Sequence, residues 1–329
     1  MSSVPSTRRI ALKVDVDTLR GTLEGVPALA ALLERRAAPA TFYFSVGPDH
    51  TGRALKRIFR RGFLGKVRRT SVASHYGLRT LLYGTVLPGP HIGARAGEAM
   101  RAVRAAGFEV GVHCHDHIRW QDGVASADAA WTRRELTRAI DAFASVLGEP
   151  PRSHAAAGWQ LNPSALALEE ELGFAYASDV RGTEPFFPSM GGVDGRCMQI
   201  PTTLPTFDEL IGVEGRDAAG AAAEVLRLAR LAPPRDHVFT LHAELEGGKL
   251  LPQFERLVRR WQEEGFAIVA MRDLVAGLDA RALPRHEVHM AGVPGRSGVL
   301  AVQGHRIESR EPIGAGPRHL PSHPVAPAS

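Results

Sequence analysis

Short apolar runs, rich in β-branched and aromatic residues, alternate along most of this chain with longer stretches of helical periodicity. We interpret the short runs as strands at 10–16, 41–46, 108–113, 175–180, 198–202, 238–242 and 267–271. The helical stretches between them are 25–37, 96–106, 127–147, 164–172, 218–231 and 250–264. Because a helix between two strands lets them pair in parallel, the pattern predicts an α/β protein, either a doubly wound sheet or a (β/α) barrel.

The size and composition of the chain fit one large α/β domain with additions, or two ordinary domains. Its 329 residues are 44% hydrophobic and 23% charged, which excludes collagen, a coiled coil and wholesale disorder. Charges at Lys13, Asp15 and Asp17 break the first apolar run too early for a secretory signal. With only two cysteines, Cys114 and Cys197, we expect a cytoplasmic protein without disulfides.

Positive charge is concentrated in one segment of the chain. Eight cations follow one another there without an intervening carboxylate: Arg53, Lys56, Arg57, Arg60, Arg61, Lys66, Arg68 and Arg69. Apolar residues recur among them at helical intervals, so residues 49–92 are expected to form an insertion with a basic amphipathic helix that contacts anionic lipid. A solvated basic helix packed on the core is the alternative. Nucleic acid is not expected as a partner, because no base-reading motif accompanies the cations.

Carboxylate and imidazole side chains stand at two of the predicted strand ends. Asp15 and Asp17 are two residues apart on a strand and so point to the same side. His113 and His117 are four apart and share one face if the chain turns helical there. Two histidines and one carboxylate can hold a metal and leave positions open for water and substrate. Helix caps in a solvated loop are the alternative for the aspartates, and Cys114 is expected to point away from the histidines.

A histidine and an aspartate end two further predicted strands. His242 stands where an acid or base would be useful, although a histidine at a strand end can also be structural. Asp179 could orient and stabilise a catalytic imidazole, or it could cap the following turn. The sequence assigns no role to His75, His91 or His115.

These residues occur along the chain in the order Asp15-x-Asp17, His113-x-x-x-His117, Asp179 and His242. The order resembles the polysaccharide deacetylase family, also called the NodB-homology family. This resemblance implies a distorted seven-stranded (β/α) barrel over residues 1–304, with the basic insertion at 49–92, and metal-dependent amide hydrolysis. The Pro-, Gly- and His-rich residues 305–329 are expected to form a disordered tail.

The resemblance also implies what each candidate residue does. The roles are metal ligands for Asp17, His113 and His117, general base for Asp15, general acid for His242, and partner of that acid for Asp179. This ligand set favours zinc as the divalent metal ion, and cobalt or manganese would also suit it. The arginine that holds the base in this family should fall within 151–159, where Arg152 is not in register, so this role is left unassigned.

Further segments resemble one deformylase branch of the family: 80–85, 117–122, 156–159, 178–182, 199–206 and 242–244. This closer resemblance implies hydrolysis of the formamide of undecaprenyl-phosphate-linked 4-deoxy-4-formamido-L-arabinose, a step in lipid A modification and polymyxin resistance. Because such a substrate lies in the bilayer, we expect the protein to associate peripherally with the cytoplasmic face of the inner membrane. The sequence does not predict an oligomeric state.

The sequence also allows two other functions. One is N-deacetylation of another envelope glycan, which an export signal would favour. The other is a non-catalytic membrane-binding barrel, against which the complete set of ligands, acid and base argues.

Overall fold

The computed structural model of the protein describes residues 8–54, 79–231, 233 and 235–308. Its strands are β1 (Arg9–Val16), β2 (Thr41–Ser45), β3 (Glu109–Cys114), β4 (Ser153–His154), β5 (Tyr176–Ala177), β6 (Phe187–Met190), β7 (Val193–Asp194), β8 (Met198–Gln199), β9 (His237–His242), β10 (Ala267–Val269), β11 (Arg285–Ala291) and β12 (Leu300–Ile307). Its α-helices are α1 (Val26–Arg35), α2 (Ile92–Ala105), α3 (His117–Gly123), α4 (Ala129–Leu147), α5 (Pro163–Glu171), α6 (Phe207–Leu210), α7 (Ala218–Ala229), α8 (Ala243–Glu246), α9 (Leu251–Glu263) and α10 (Met271–Ala276).

Eight of these strands form one curled, parallel sheet. Seven follow one another in the order β9-β1-β2-β3-β4-β5-β8, and β10 pairs with the first three residues of β1. Where β8 and β9 approach each other, the N–H of Thr203 donates to the carbonyl of Val238 at 3.1 Å, but no strand pair closes the barrel in the described part of the chain. The prediction of a distorted barrel of about seven parallel strands is therefore confirmed.

The register of the sheet determines which residues meet at its carboxyl edge. Asp15 of β1 lies beside His242 of β9 on one side and beside Tyr43 of β2 on the other. Because all of these strands run parallel, the residues that end β1, β3 and β9 come together at one edge. Polar groups from distant parts of the sequence are thereby brought next to one another.

The main apolar core joins this sheet to its covering helices, including α1, α2, α4, α7 and α9. Strand β1 is buried along nearly its whole length, as expected for a strand with parallel neighbours and helices around it. Phe239 of β9 packs edge-to-face on Trp261 of α9, with ring centroids 5.4 Å apart. Burial on this scale anchors the strands whose ends carry the polar groups.

A second sheet of four strands, in the order β12-β11-β6-β7, does not follow from the sequence pattern. Strand β11 carries histidine, arginine and glutamate among its apolar residues, so it lacks the continuous apolar run of the parallel strands. The loop after β5 is tied to this sheet, because the N–H of Arg181 donates to the carbonyl of Ala301 at 2.9 Å and its carbonyl accepts from the N–H of Gln303 at 2.8 Å. The second sheet therefore packs against the carboxyl side of the first.

Most of the predicted basic helix lies outside the described residues, as does His75. Of the eight cations only Arg53 is described, and its guanidinium donates to the carbonyl of Gly84 at 3.0 Å. The amphipathic insertion at 49–92 therefore stays a prediction. At the other end, β12 continues to Ile307, so the first residues of the predicted tail are strand.

Candidate metal centre and active site

Three potential metal ligands converge at the carboxyl edge of the sheet. Asp17 directly follows β1, His113 lies near the end of β3, and His117 is the first residue of α3. The Nε2 atoms of His113 and His117 lie 3.3 and 3.5 Å from the same oxygen, Oδ1 of Asp17. The structure thus brings together the three residues to which the family resemblance assigns the metal.

The first histidine of this centre lies at a β-bulge in β3. Phe44 pairs with Val112 and Ser45 with Cys114, so His113 is an extra residue between two paired positions. Bulges increase local twist, redirect a side chain and are frequent beside active sites. His113 is thus both the bulged residue of β3 and a potential metal ligand.

The second histidine is placed by the cap of α3. Oδ1 of Asp116 accepts the N–H of Arg119 at 3.1 Å, and Oδ2 of Asp116 lies 2.6 Å from Nδ1 of His50. This cap turns the chain helical directly after the strand. His113 and His117 can therefore share one face, with ring centroids 5.3 Å apart.

The turn that carries Asp17 is held by a buried carboxylate, that of Glu244. Its Oε1 accepts the N–H of Asp17 at 3.0 Å and both the N–H and the hydroxyl of Thr18 at 2.8 Å. A glycine is needed at position 21, because a Cβ on Gly21 would come within 2.0 Å of this oxygen. Burial and the nearby charge of Asp17 raise the pKa of Glu244 to about 8. The backbone of Asp17 is thus held in place by the side chain of Glu244 from α8.

The electrostatics of the centre fit a divalent cation. Burial opposes ionisation of Asp17, but the charges of His117 and His113 outweigh it and hold the pKa of Asp17 well below its usual range. Burial lowers the pKa of His117 more than the charge of Asp17 raises it. Oδ1 of Asp17 is buried and has no hydrogen-bond partner among the described residues, although two ring nitrogens lie within 3.5 Å. The ionised carboxylate of Asp17 and the neutral imidazole of His117 are the forms that bind a metal ion.

Asp15 lies beside the metal centre with one carboxylate oxygen held and the other free. Oδ2 lies 3.3 Å from Nζ of Lys13, and both side chains are buried. Oδ1 is also buried and accepts no hydrogen bond within the part of the chain that the structure describes. Such an oxygen can accept a proton from a group in the site. Arg152 is exposed and does not fill the unassigned arginine role.

The imidazole of His242 has a carboxylate neighbour that the sequence did not point to. Its Nδ1 lies 3.8 Å from Oδ1 of Asp208, on the four-residue helix α6, and Oδ2 of Asp208 lies 3.4 Å from a guanidinium nitrogen of Arg296. Burial lowers the pKa of His242, but the charges of Asp208 and Asp17 outweigh it and raise the pKa above its usual value. Burial opposes ionisation of Asp208 too, yet Arg296 and His242 lower its pKa to about 2. His242 is therefore suited to hold a proton.

The expected pairing of Asp179 with His242 is wrong. Oδ1 of Asp179 lies 3.1 Å from Nδ1 of His154 and accepts the N–H of Ala156 at 2.6 Å, and its Oδ2 accepts from the amide of Gln199 at 2.8 Å. The reason is that Asp179, two residues beyond β5, is held by groups of β4, of the loop after β4 and of β8. Asp179 therefore supports the loop after β4 from within the protein.

Other candidates from the sequence lie away from the metal centre. Sγ of Cys114 lies 3.3 Å from the hydroxyl of Ser45, and burial raises the pKa of this thiol well above its usual range, so it is not a thiolate ligand. The ring of His115 faces that of His91, with centroids 5.7 Å apart. Cys114 and Cys197 are both buried, and neither forms a disulfide.

Trp159 forms a wall beside His242 that the sequence alone did not indicate residue by residue. Its ring lies edge-on to His242, with centroids 6.4 Å apart, and the guanidinium carbons of Arg181 and Arg296 lie 5.3 and 4.7 Å from its ring centre. Its backbone has a φ of 51°, which is rare for so bulky a side chain and is typical of functional sites. The only signal was the resemblance of segment 156–159 to the deformylase branch.

A model of the polysaccharide deacetylase family matches residues 3–177 of this chain. A protein of Shewanella sediminis (strain HAW-EB3), named "Probable 4-deoxy-4-formamido-L-arabinose-phosphoundecaprenol deformylase ArnD", is 35% identical over 309 residues, covering 94% of this chain and 99% of its own length. A protein of Wigglesworthia glossinidia brevipalpis with the same name is 31% identical, covering 86% of this chain and 98% of its own. The chain therefore belongs to the polysaccharide deacetylase family, as its sequence motifs indicated.

The fold agrees with this assignment. A solved structure, a probable polysaccharide deacetylase from Pseudomonas aeruginosa PAO1, has a TM-score of 0.55 with 18% identity and covers 83% of this chain and 91% of that one. The chain is thus a hydrolase of linear amide C–N bonds, from a family that generally depends on a divalent metal. No helix within the described ranges is long and apolar enough to span a bilayer.

Proposed function

We propose that this chain hydrolyses the formamide of undecaprenyl-phosphate-linked 4-deoxy-4-formamido-L-arabinose, releasing formate and the free amino sugar used to modify lipid A, a modification that confers polymyxin resistance. The observation that carries the proposal is the register of β1 and β9, which sets Asp15 beside His242 at the edge where Asp17, His113 and His117 converge. The names of the two relatives that match nearly the whole chain support this choice of substrate.

Asp17, His113 and His117 would hold the metal ion. Two imidazoles and one carboxylate favour zinc, and cobalt or manganese would also suit them. Such an ion, when bound, acidifies a water molecule and polarises the formyl oxygen. The protein's own part is to keep Asp17 ionised and His117 neutral, which the lowered pKa values of both groups accomplish.

Asp15 is the general base of the proposed reaction. Its free oxygen, Oδ1, accepts the proton of the attacking water while Lys13 holds Oδ2. The water oxygen forms a bond to the formyl carbon, and the carbon becomes tetrahedral. Because Asp15 and Lys13 are both buried, bulk water does not compete for this carboxylate.

His242 is the general acid on the opposite flank of the scissile bond. Its raised pKa keeps a proton on the imidazole, which it donates to the sugar nitrogen as the C–N bond breaks. Asp208 stabilises the imidazolium from the far side of the ring. The products are formate and a sugar amine, so the atoms of one water molecule are fully accounted for.

A lipid-linked substrate requires contact with the membrane, and we propose that the basic segment provides it at the cytoplasmic face. The described residues that follow this segment expose three large apolar side chains: Leu82 at 41%, Val86 at 77% and Leu87 at 36%. Cations beside exposed apolar side chains are typical of peripheral proteins on anionic lipid. This association would bring the active site to the polyprenyl phosphate.

The direct test is formate release from the formamido-arabinose lipid in mixed vesicles. We expect release by the purified, metal-loaded protein, loss of release with a chelator, and recovery on adding zinc, cobalt or manganese. An analogue of the lipid with an acetamido group in place of the formamido group tests the alternative function, N-deacetylation, in parallel. Acetate release without formate release would replace the deformylase by a deacetylase, and a metal-loaded protein that releases neither would favour the non-catalytic barrel.

A single charge-neutral variant tests the role of the base. Asp15→Asn should retain the metal and lower kcat by about 10²- to 10⁴-fold, the usual contribution of a general base. The matched control is Asp141→Asn, at an exposed position of α4, which should turn over like the original protein. Normal turnover in Asp15→Asn would remove Asp15 from this role.

A further inference from the structure

Lys13 is a fully buried lysine in the middle of β1. Its side chain is 0% exposed, although lysines are almost never buried in full unless they are paired. Its Nζ lies 3.3 Å from Oδ2 of Asp15 and donates to the carbonyl of Ser178 at 3.1 Å. These contacts replace the water that the ammonium group loses on burial.

The remaining neighbours of the Lys13 ammonium are aromatic. Nζ lies 5.2 Å from the ring centre of Trp159 and 5.9 Å from that of Tyr43, distances at which a ring face stabilises a cation. Across the described ranges, Asp15 is the only carboxylate within 4.0 Å of Nζ. The charge of Lys13 is therefore directed at Asp15 and is not shared with a second acid.

The placement of Lys13 follows from the alternation of side chains along a strand. Lys13, Asp15 and Asp17 are spaced two apart, so their side chains leave β1 toward the same side. Asp17 faces two histidines, whereas Asp15 would face a like charge without compensation if Lys13 were absent. With Oδ2 held by Lys13, the carboxylate of Asp15 has a defined orientation that leaves Oδ1 free.

We propose that Lys13 is a positioning residue for Asp15. It fixes the orientation of the carboxylate and offsets its charge, so that Oδ1 faces the site. This inference rests on the proposed function, in which Asp15 is the general base. It also accounts for the exposed position of Arg152, because the base already has a buried cation from its own strand.

The test is a double-mutant cycle of Lys13→Met and Asp15→Asn, with kcat, KM and metal content measured for each variant. We expect Lys13→Met alone to lower kcat about 100-fold, with KM within about twofold and metal content unchanged. In the Asp15→Asn background, Lys13→Met should change kcat less than about twofold, because the group it positions is no longer a base. Lys13→Arg should recover part of kcat, and Lys249→Met, at an exposed position, is the matched control.

Three outcomes would overturn the proposal: a normal kcat in Lys13→Met, the same fold loss in both backgrounds, or loss of the metal together with kcat. If Lys13→Met folds poorly, thermal unfolding provides the second readout. The double variant, which buries neither charge, should have a higher Tm than Lys13→Met, and equal values would show that the two side chains are not coupled. If the original protein releases no formate, the proposed function fails, while this Tm cycle still decides whether Lys13 and Asp15 act as a pair.

Discussion

At the scale of single residues, the site holds one carboxylate ionised and one imidazole protonated in the same buried space. The pKa of Asp17 is depressed and that of His242 is raised, although burial alone would shift each of them the other way. Because these two pKa values shift in opposite directions, one pocket can contain both an ionised metal ligand and a proton donor. The proposed division of labour therefore follows from the charges around each group.

Asp208→Asn should move the basic limb of the kcat/KM profile to lower pH. The negative charge of Asp208 favours the imidazolium form of His242, so removing it lowers the pKa of His242 and the proton donor is lost earlier as pH rises. In the original protein, activity should fall only as pH rises through a value above 6.5, the ordinary histidine pKa. Formate release measured from about pH 5 to pH 10 gives both profiles.

The control for this experiment is Asp141→Asn, whose basic limb should coincide with that of the original protein. If the limb of Asp208→Asn also stays in place, Asp208 does not act on the proton donor. A uniform loss of rate at every pH would show instead that Asp208 only supports the local structure.

The sequence alone identifies site residues that are close together along the chain. It does not identify residues that come into contact only in the folded structure. The i, i+2 spacing of Asp15 and Asp17 on a strand already predicts that they share a side. The contact of His242 with Asp208 joins a strand end to a helix of only four residues, and no periodicity marks it. Lys13 could have been noticed, because a lysine inside an otherwise apolar strand needs a partner.

At the scale of elements, the metal centre depends on two local irregularities. His113 lies at the bulge in β3, and the cap at Asp116 starts α3 at His117. Neither can be recognised with certainty from the sequence, since a bulge is a property of the pairing and not of one strand. The i, i+4 spacing of His113 and His117 was the available signal, and it was sufficient to predict their meeting.

His113→Ala should abolish tight metal binding and formate release. Losing one of three protein ligands should cost more than the 10- to 100-fold that loss of an outer partner typically costs, so we expect a metal affinity at least about 100-fold weaker. Metal content by mass spectrometry and a zinc titration measure this effect. The control is His115→Ala, two residues further along, whose ring faces His91. A His113→Ala variant that binds zinc normally would contradict the assignment of the ligands.

The long regular elements were predictable, whereas the second sheet was not. Strands β1, β2, β3 and β9 are largely buried between helices and neighbouring strands, so short apolar stretches mark them in the sequence. Strands β11 and β12 are partly exposed and carry charged or histidine residues, so their pattern resembles that of loops. The loop between them carries Arg296 to Asp208, which is why this contact also escaped prediction.

At the scale of the whole molecule, the proposed membrane contact concerns a small part of the surface. Replacing Arg57, Arg60 and Arg61 by glutamine should weaken binding to anionic vesicles about 10- to 100-fold, since each cation near such a surface contributes about 1 kcal/mol before screening. Turnover of a short-chain soluble analogue should stay within about twofold. Vesicle sedimentation and formate release measure the two effects separately.

The matched control replaces Arg133, Arg227 and Arg259, three exposed arginines on helices, and changes the net charge equally. This control should bind vesicles more tightly than the first variant. Equal weakening in both would indicate that overall charge and not the segment is responsible, and loss of soluble turnover in the first variant would indicate a role in folding.

The position of β1 in the sheet has a consequence for how the protein is made. This strand is translated before the other strands of its sheet, yet one of its edges is completed by β9, whose residues 237–242 pair with residues 10–15. At about 5 to 20 residues per second, the ribosome needs roughly 10 to 45 s to bridge that interval. During this time the nascent chain carries an apolar strand with one unpaired edge, and chaperones that shield such edges should be required for efficient production of the enzyme.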